Sequence, residues 1–194
     1  MLVEEVNDKI IQDIGNALSD EKSFVYKDLA SFYFEEYTKA MAQSGLLYTI
    51  SENYEGFIVL KKPGQNISMK SMKYLTNGFV KTMSIKELLR YKKTMKDAGY
   101  SLKEEYMNTG KPFVYVGMVC VCEKEKEDEI LKQLLKLAID EGNRLNVPVI
   151  VDTDSEKKCE KYKNLGMQLE QIRDLGEWGK NYDLIKYSNQ DRGE

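Results

Sequence analysis

The sequence contains no histidine. That absence removes every Ser-His and Cys-His nucleophile arrangement, and with them most zinc sites. Acid–base chemistry is left to tyrosine, cysteine, lysine, carboxylates or bound water. Cysteine is scarce too. Cys120, Cys122 and Cys159 are odd in number, and two of them sit inside an apolar run, so no disulfide framework is expected. No stretch approaches the roughly 20 consecutive apolar residues that a membrane helix needs. The opening MLVEEVNDKI carries acids where a secretory signal would carry bases. Together these gaps predict a cytoplasmic protein with no membrane partner.

Acids are themselves nearly missing from one segment. Residues 61–103 hold eleven Lys or Arg and only Glu87 and Asp97, in a chain of formal net charge −3. Such a face either meets an anionic ligand or partner, or is the solvated side of a helix pair, and the second is the simpler reading. Strong salt dependence of complex formation would separate the two. Nucleic acid is disfavoured as a partner, because the whole chain is acidic and carries no recognition motif.

What is present suits one domain of 194 residues, with 42% hydrophobic residues for a core and 31% charged residues for a surface. Apolar residues recur at helical spacing over 3–18 and again over 27–43, where Ser44-Gly45 ends the pattern. Residues 46–50 and 56–60 read as an antiparallel hairpin closed by Pro63-Gly64. Residues 71–99 read as two short helices with Leu88, Leu89 and Tyr91 facing inward. Residues 113–122 are apolar on both faces, as in a central strand covered by helices. A strongly amphipathic helix follows over 127–145, then a buried strand from Val147, a helix over 156–165 stopped by Gly166, and a last strand over 182–187. The order describes a single mixed α/β domain, with helices and a hairpin over 1–112 and a core over 113–187.

Within that core, residues 114–167 resemble the centre of the GNAT N-acetyltransferase superfamily. Val119-Cys120-Val121 matches the family's central strand, residues 130–143 its helix, and Val149-Ile150-Val151 the strand that splays away. Tyr162-Lys163-Asn164-Leu165-Gly166-Met167 matches the Tyr-x-x-Leu-Gly-Phe ending, with Met for Phe. The match covers about a quarter of the chain. It implies a mostly antiparallel mixed sheet with one splayed parallel pair, flanked by helices. It also implies acetyl-CoA as cosubstrate, no metal, and an amine of a small molecule or peptide as acceptor, in a monomer or homodimer.

The resemblance carries site residues with it. Pantetheine would pair with the strand edge at Val119, Val121 and Cys122, as an added strand does. The diphosphate would meet Lys124, Lys126, Glu127, Asp128, Glu129 and Ile130 at the next helix N-terminus. Ser155 falls where pantetheine is touched, and Tyr162 would protonate the leaving thiolate. Asp152 and Asp154 could serve as base, or cap the next helix. Cys120 and Cys122 share a strand face and read as core, and Trp178 reads as a lid or plug.

One element departs from the family. Its loop reads Arg/Gln-x-x-Gly-x-Gly/Ala, whereas this chain has Glu123-Lys124-Glu125-Lys126-Glu127-Asp128-Glu129, with Glu127 and Glu129 where glycines belong. Two like charges ~4 Å apart repel by about 4 kcal/mol at an effective dielectric of ~20, an upper guide for side chains that can swing into solvent. Two readings follow: an acetyltransferase whose lysines compensate the acids, or a GNAT-fold binding module that has lost acetyl-CoA.

Overall fold

The computed structural model describes residues 1–3, 5–21, 27–82 and 84–189. Its elements run α1 (Asp8–Glu21), α2 (Lys27–Gln43), β1 (Leu47–Thr49), β2 (Gly56–Lys61), α3 (Met72–Thr82), α4 (Ile85–Asp97), α5 (Leu102–Thr109), β3 (Val114–Val121), α6 (Glu127–Leu145), β4 (Val149–Thr153), α7 (Glu156–Asn164), β5 (Gln168–Asp174) and β6 (Lys180–Lys186). Six strands form one sheet in the order β1-β2-β3-β4-β6-β5. β1 with β2, β4 with β6 and β5 with β6 are antiparallel, while β3 with β4 is parallel. Among the described residues no helix is long and apolar enough to cross a membrane.

The chain divides into two compact units whose segments interleave. The first takes residues 1–60, 64–85 and 118–134. Its core joins Ile10, Ile14 and Leu18 of α1 with Phe34 and Met41 of α2, Leu47, Phe57 and Val59 of the hairpin, and Met118 and Cys120 of β3. The predicted first helix begins later than its periodicity suggests. Val3 donates its N–H to the Leu47 carbonyl, and Leu2 bridges Tyr48, so the first residues extend the sheet edge instead. Gly56 is forced by packing: a Cβ there would stand 2.6 Å from Ile130 Cγ2 and 3.0 Å from Leu134 Cδ1. Without a side chain at that position, the first turns of α6 lie directly on β2.

The second unit takes residues 61–63, 86–117 and 135–194. Leu102, Ile150 and Ile185 form its buried centre on one sheet face, with Tyr106, Phe113, Tyr115 and Tyr187 packed around them. α5 carries a complete capping box, the Ser101 hydroxyl accepting from the Glu104 N–H while the Glu104 carboxylate accepts from Ser101 N–H. The last strand is a hairpin, β5 and β6, because the polar run Gln168–Asp174 is an edge strand with one wet face. Leu89 corrects an expectation: it is 62% exposed, and α4 buries no residue fully.

Candidate active site

The parallel register of β3 and β4 contains three residue pairs, Val114↔Val149, Tyr115↔Ile150 and Val116↔Val151. β3 then continues to Val121, and β4 to Thr153 alongside β6. Asp152 is the first residue of β4 past that register, opposite Asp183 of β6. Its Oδ1 accepts from the Tyr115 hydroxyl at 2.5 Å. A strand period puts Tyr115, Ile150 and Asp152 on one face, which is why residues 37 apart in sequence meet.

Beside Asp152 lies a buried polar cluster that no sequence motif announced. Asp183, 1% exposed, takes Arg173, 4% exposed, in a two-point pair: Nε to Oδ2 at 3.0 Å and Nη2 to Oδ1 at 3.2 Å. Gln171 Nε2 donates to the same Oδ2 at 2.6 Å, and the Leu102 N–H at the start of α5 donates at 3.2 Å. The Asn181 amide, turned so that both ends are satisfied, donates to the Thr153 carbonyl at 2.7 Å and accepts from Arg173 Nη2 at 2.8 Å. Burial works against the Arg173 charge, and the Asp183 hydrogen bonds and charge outweigh it, so its pKa is raised. Two buried donors, Arg173 Nη1 and Trp178 Nε1, have no protein partner among the described residues.

Trp178 sits in the short 3₁₀ turn Gly176–Trp178 between β5 and β6. Its ring meets Tyr91 of α4 edge to face at 5.3 Å, with the Arg90 guanidinium 5.8 Å away and Arg90 Nε paired to Glu177 at 2.9 Å. α4 and the hairpin tip are thereby pinned together. Burial first, then the charges of Asp152 and Asp154, push the Tyr91 phenol up, with Arg173 opposing, so it stays a protonated O–H donor at neutral pH.

Tyr162 lies near the end of α7 and is 2% exposed. α7 is fixed at its start by Ser155, whose hydroxyl accepts from the Lys158 N–H at 3.3 Å, so Ser155 is its N-cap. At the other end Gly166 takes φ +87°, and the Met167 N–H returns to the Tyr162 carbonyl. Cys159 is buried on the same helix, and burial raises its thiol pKa, which suits packing and not a nucleophile. Cys120 is buried and Cys122 half-buried in the first unit; among the described residues no group of His, Cys, Asp and Glu could hold a metal ion.

The acidic loop belongs to the first unit, and its conformation explains the missing glycines. Residues Lys124–Lys126 form a single 3₁₀ turn that runs straight into α6. Glu127 is right-handed helical at φ −49°, ψ −49°, where any side chain is at ease. The Lys126 N–H donates to the Glu123 carbonyl and the Glu127 N–H to the Lys124 carbonyl, so both amides are used inside the turn. Lys126 reaches Glu123 at 3.0 Å and Glu55 at 3.5 Å, and its pKa is raised by Glu123 first and then by Glu55. Glu55 is lowered chiefly by the Ser51 hydroxyl, against burial, with help from Lys126. Glu127, Asp128 and Glu129 fill the first turn of α6. The N-terminal end of α6 thus carries negative side chains, where they complement the helix dipole.

On β3 itself, the Cys122 N–H donates to the Glu55 carbonyl at 2.9 Å, so that donor faces β2 and is taken. Alternation along the strand turns the peptide groups of Val119 and Val121 to the opposite edge. Of the basic residues between 61 and 103, Lys62 pairs with Glu141, Arg90 with Glu177, and Lys73, Lys81 and Lys103 stand over Tyr74, Phe32 and Tyr115. Their contacts are with this chain's own side chains.

No protein-family model and no curated protein sequence matches the chain. Solved structures do match. An N-acetyltransferase from Staphylococcus aureus Mu50 aligns over 96% of this chain and 100% of its own, at 14% identity and a TM-score of 0.54. A mosquito arylalkylamine N-acetyltransferase, like 5b, aligns over 96% and 99% at 14% identity and 0.53. A GNAT-family acetyltransferase from Desulfovibrio desulfuricans aligns over 94% and 95% at 8% identity and 0.51. The fold is that of the GNAT N-acetyltransferases. At these identities the likeness establishes the GNAT architecture, and the chemistry must be argued from the residues.

Proposed function

We propose that this protein is a GNAT-type N-acyltransferase that moves an acetyl group from a thioester to the amine of a small molecule or peptide. The observation that carries this reading is Asp152. It is a carboxylate standing one residue beyond the last parallel pair of β3 and β4, held by Tyr115 and surrounded by the ordered Arg173–Asp183 cluster. In this role Asp152 takes the proton of the incoming ammonium, leaving a neutral amine. The nitrogen then attacks the thioester carbonyl, the C–N bond forms, and the C–S bond breaks. The second nitrogen proton goes to solvent or base as Tyr162 supplies one to the departing thiolate. No covalent enzyme intermediate is required, in keeping with a chain that has no histidine. The buried Arg173 Nη1 and Trp178 Nε1 donors support an acceptor with a carbonyl near its amine, as in an amino-acid amide or peptide N-terminus.

Mass-spectrometric detection of acetylated amine across a panel of amino-acid amides and alkylamines tests the reading. Asp152→Asn is expected to lower kcat/KM by roughly a hundredfold. Tyr162→Phe is expected to lower kcat with little change in KM. Wild-type rates in both variants would refute the assignment. The acidic front of α6 favours a second reading, a binding module without catalysis. Amine binding with no product from any thioester would establish that one.

A further inference from the structure

Two buried donors of the second unit lack the acceptors that burial demands. Arg173 is 4% exposed, and its Nε and Nη2 are taken by Asp183 and the Asn181 amide, while Nη1 makes no hydrogen bond among the described residues. Trp178 Nε1 is likewise buried and unpartnered among them. The two side chains share a neighbour. Trp178 packs edge to face on Tyr91 at 5.3 Å, and the Tyr91 phenol feels the charges of both Asp152 and Arg173. A buried N–H without an acceptor is unfavourable, and a ligand oxygen at that place relieves it. The surrounding charges decide what kind of oxygen. Arg173 is already matched by Asp183, and Asp152 and Glu104 bring further negative charge within its reach. A carboxylate would meet net negative charge there, whereas a carbonyl would not.

The cover over these donors is the tip of the β5–β6 hairpin. Trp178 ends the turn Gly176–Trp178, and Gly179 after it takes φ +85°, ψ −154°, a backbone that glycine alone adopts with ease. The Leu175 N–H donates to the Gly179 carbonyl at 2.7 Å, so the turn is closed on itself. Only the Tyr91 ring contact and the Arg90–Glu177 pair are found between this tip and α4, and that pair is more than half exposed on both sides and holds weakly. Resting on the acyltransferase reading, we infer that Arg173 Nη1 and Trp178 Nε1 form a subsite for a neutral carbonyl oxygen of the acceptor, and that the Trp178 turn lifts to admit it and closes over it. With the ammonium group toward Asp152, the subsite selects α-amino amides and peptide N-termini over free amino acids and plain alkylamines.

Trp178 is the chain's only tryptophan, so its fluorescence reports on the subsite directly. The full chain is titrated with L-alaninamide, L-alanine and ethylamine, each followed by tryptophan emission and by calorimetry. Alaninamide is expected to bind about tenfold or more tighter than either of the others, and to shift the Trp178 emission as it binds. Trp178→Phe keeps a ring against Tyr91 and deletes the N–H. By calorimetry it should lower the ratio of alaninamide to ethylamine affinity by about tenfold. Arg173→Lys keeps a charge beside Asp183 and deletes Nη1, and should lower the same ratio, with far-UV circular dichroism checking that it folds. Equal affinities for the three ligands, or tighter binding of alanine than of alaninamide, overturn the inference. So does a ratio unchanged in Trp178→Phe, the result expected if the two donors hold only an internal water. Alaninamide binding without emission change overturns the closing turn. Preferred alaninamide binding with no acetylation from any thioester would sink the transferase reading alone. Acetylation of ethylamine and alaninamide at equal kcat/KM would sink the subsite alone.

Discussion

Replacing Asp183 by asparagine tests the buried cluster at its centre. Asp183 and Arg173 are 1% and 4% exposed, so neither charge can relax into water. The substituted amide would offer one oxygen where the carboxylate offers two. If that oxygen keeps the Leu102, Gln171 and Arg173 Nε donors, the amide nitrogen faces Arg173 Nη2 and two donors oppose each other. The Arg173 charge is then uncompensated. Breaking a buried pair from one side costs about 3–5 kcal/mol, a large share of the roughly 5–15 kcal/mol that holds a domain folded. With a urea slope of about 2 kcal/mol/M, the unfolding midpoint by far-UV circular dichroism should fall by about 2 M. Replacing both members, Asp183→Leu with Arg173→Met, should cost clearly less than Asp183→Asn alone, because no charge is left stranded. A cost for Asp183→Asn below about 1 kcal/mol, or a double substitution as costly as the sum of the two singles, would refute the reasoning.

Gly56→Ala places a Cβ 2.6 Å from Ile130 Cγ2 and should destabilise by about 1–3 kcal/mol in urea unfolding, with Ile130→Ala relieving part of that cost; simple additivity of the two would contradict the contact. Glu141 is held at a pKa of about 2 by the Arg144 hydrogen bond first, and by Lys62, against burial. Its folded pKa lies below the ordinary 4.5, so its contribution is present above that value and is lost as pH falls toward 2. Glu141→Gln should therefore flatten the melting temperature between pH 4.5 and pH 2, and parallel wild-type and variant curves would contradict it. Ser155→Ala removes the N-cap of α7 and should cost about 1 kcal/mol, read as a lower thermal midpoint.

Much of the framework was legible because burial writes periodicity into sequence. α6 shows its apolar stripe, and β3 and β4 read as unbroken apolar runs because helices and strands cover them. The terminal hairpin was not legible: Gln168–Asp174 is an edge strand, and its polar residues carry no strong period-two signal. α5 was missed although Ser101-Leu102-Lys103-Glu104 is a capping box, since eight residues offer too little apolar pattern to stand out. The departures in the acidic loop were plain in the residues, but not the 3₁₀ turn that makes glycine unnecessary there. The cap of α7 was expected from Asp152 or Asp154 and is supplied by Ser155, one residue further on. Tyr115 with Asp152, and Arg173 with Asp183, could not be found in sequence. They are long-range pairs of polar residues joined only by strand register.

The most direct test of the central claim is amide formation. The purified chain should be incubated with an amino-acid amide and, in parallel reactions, acetyl-CoA or S-acetylpantetheine, and the acetylated amine followed by mass spectrometry beside Asp152→Asn. Acetylated product from the wild type, reduced by roughly a hundredfold in the variant, is the expected result. Thioester and amine recovered unchanged, or equal product from both proteins, would contradict it.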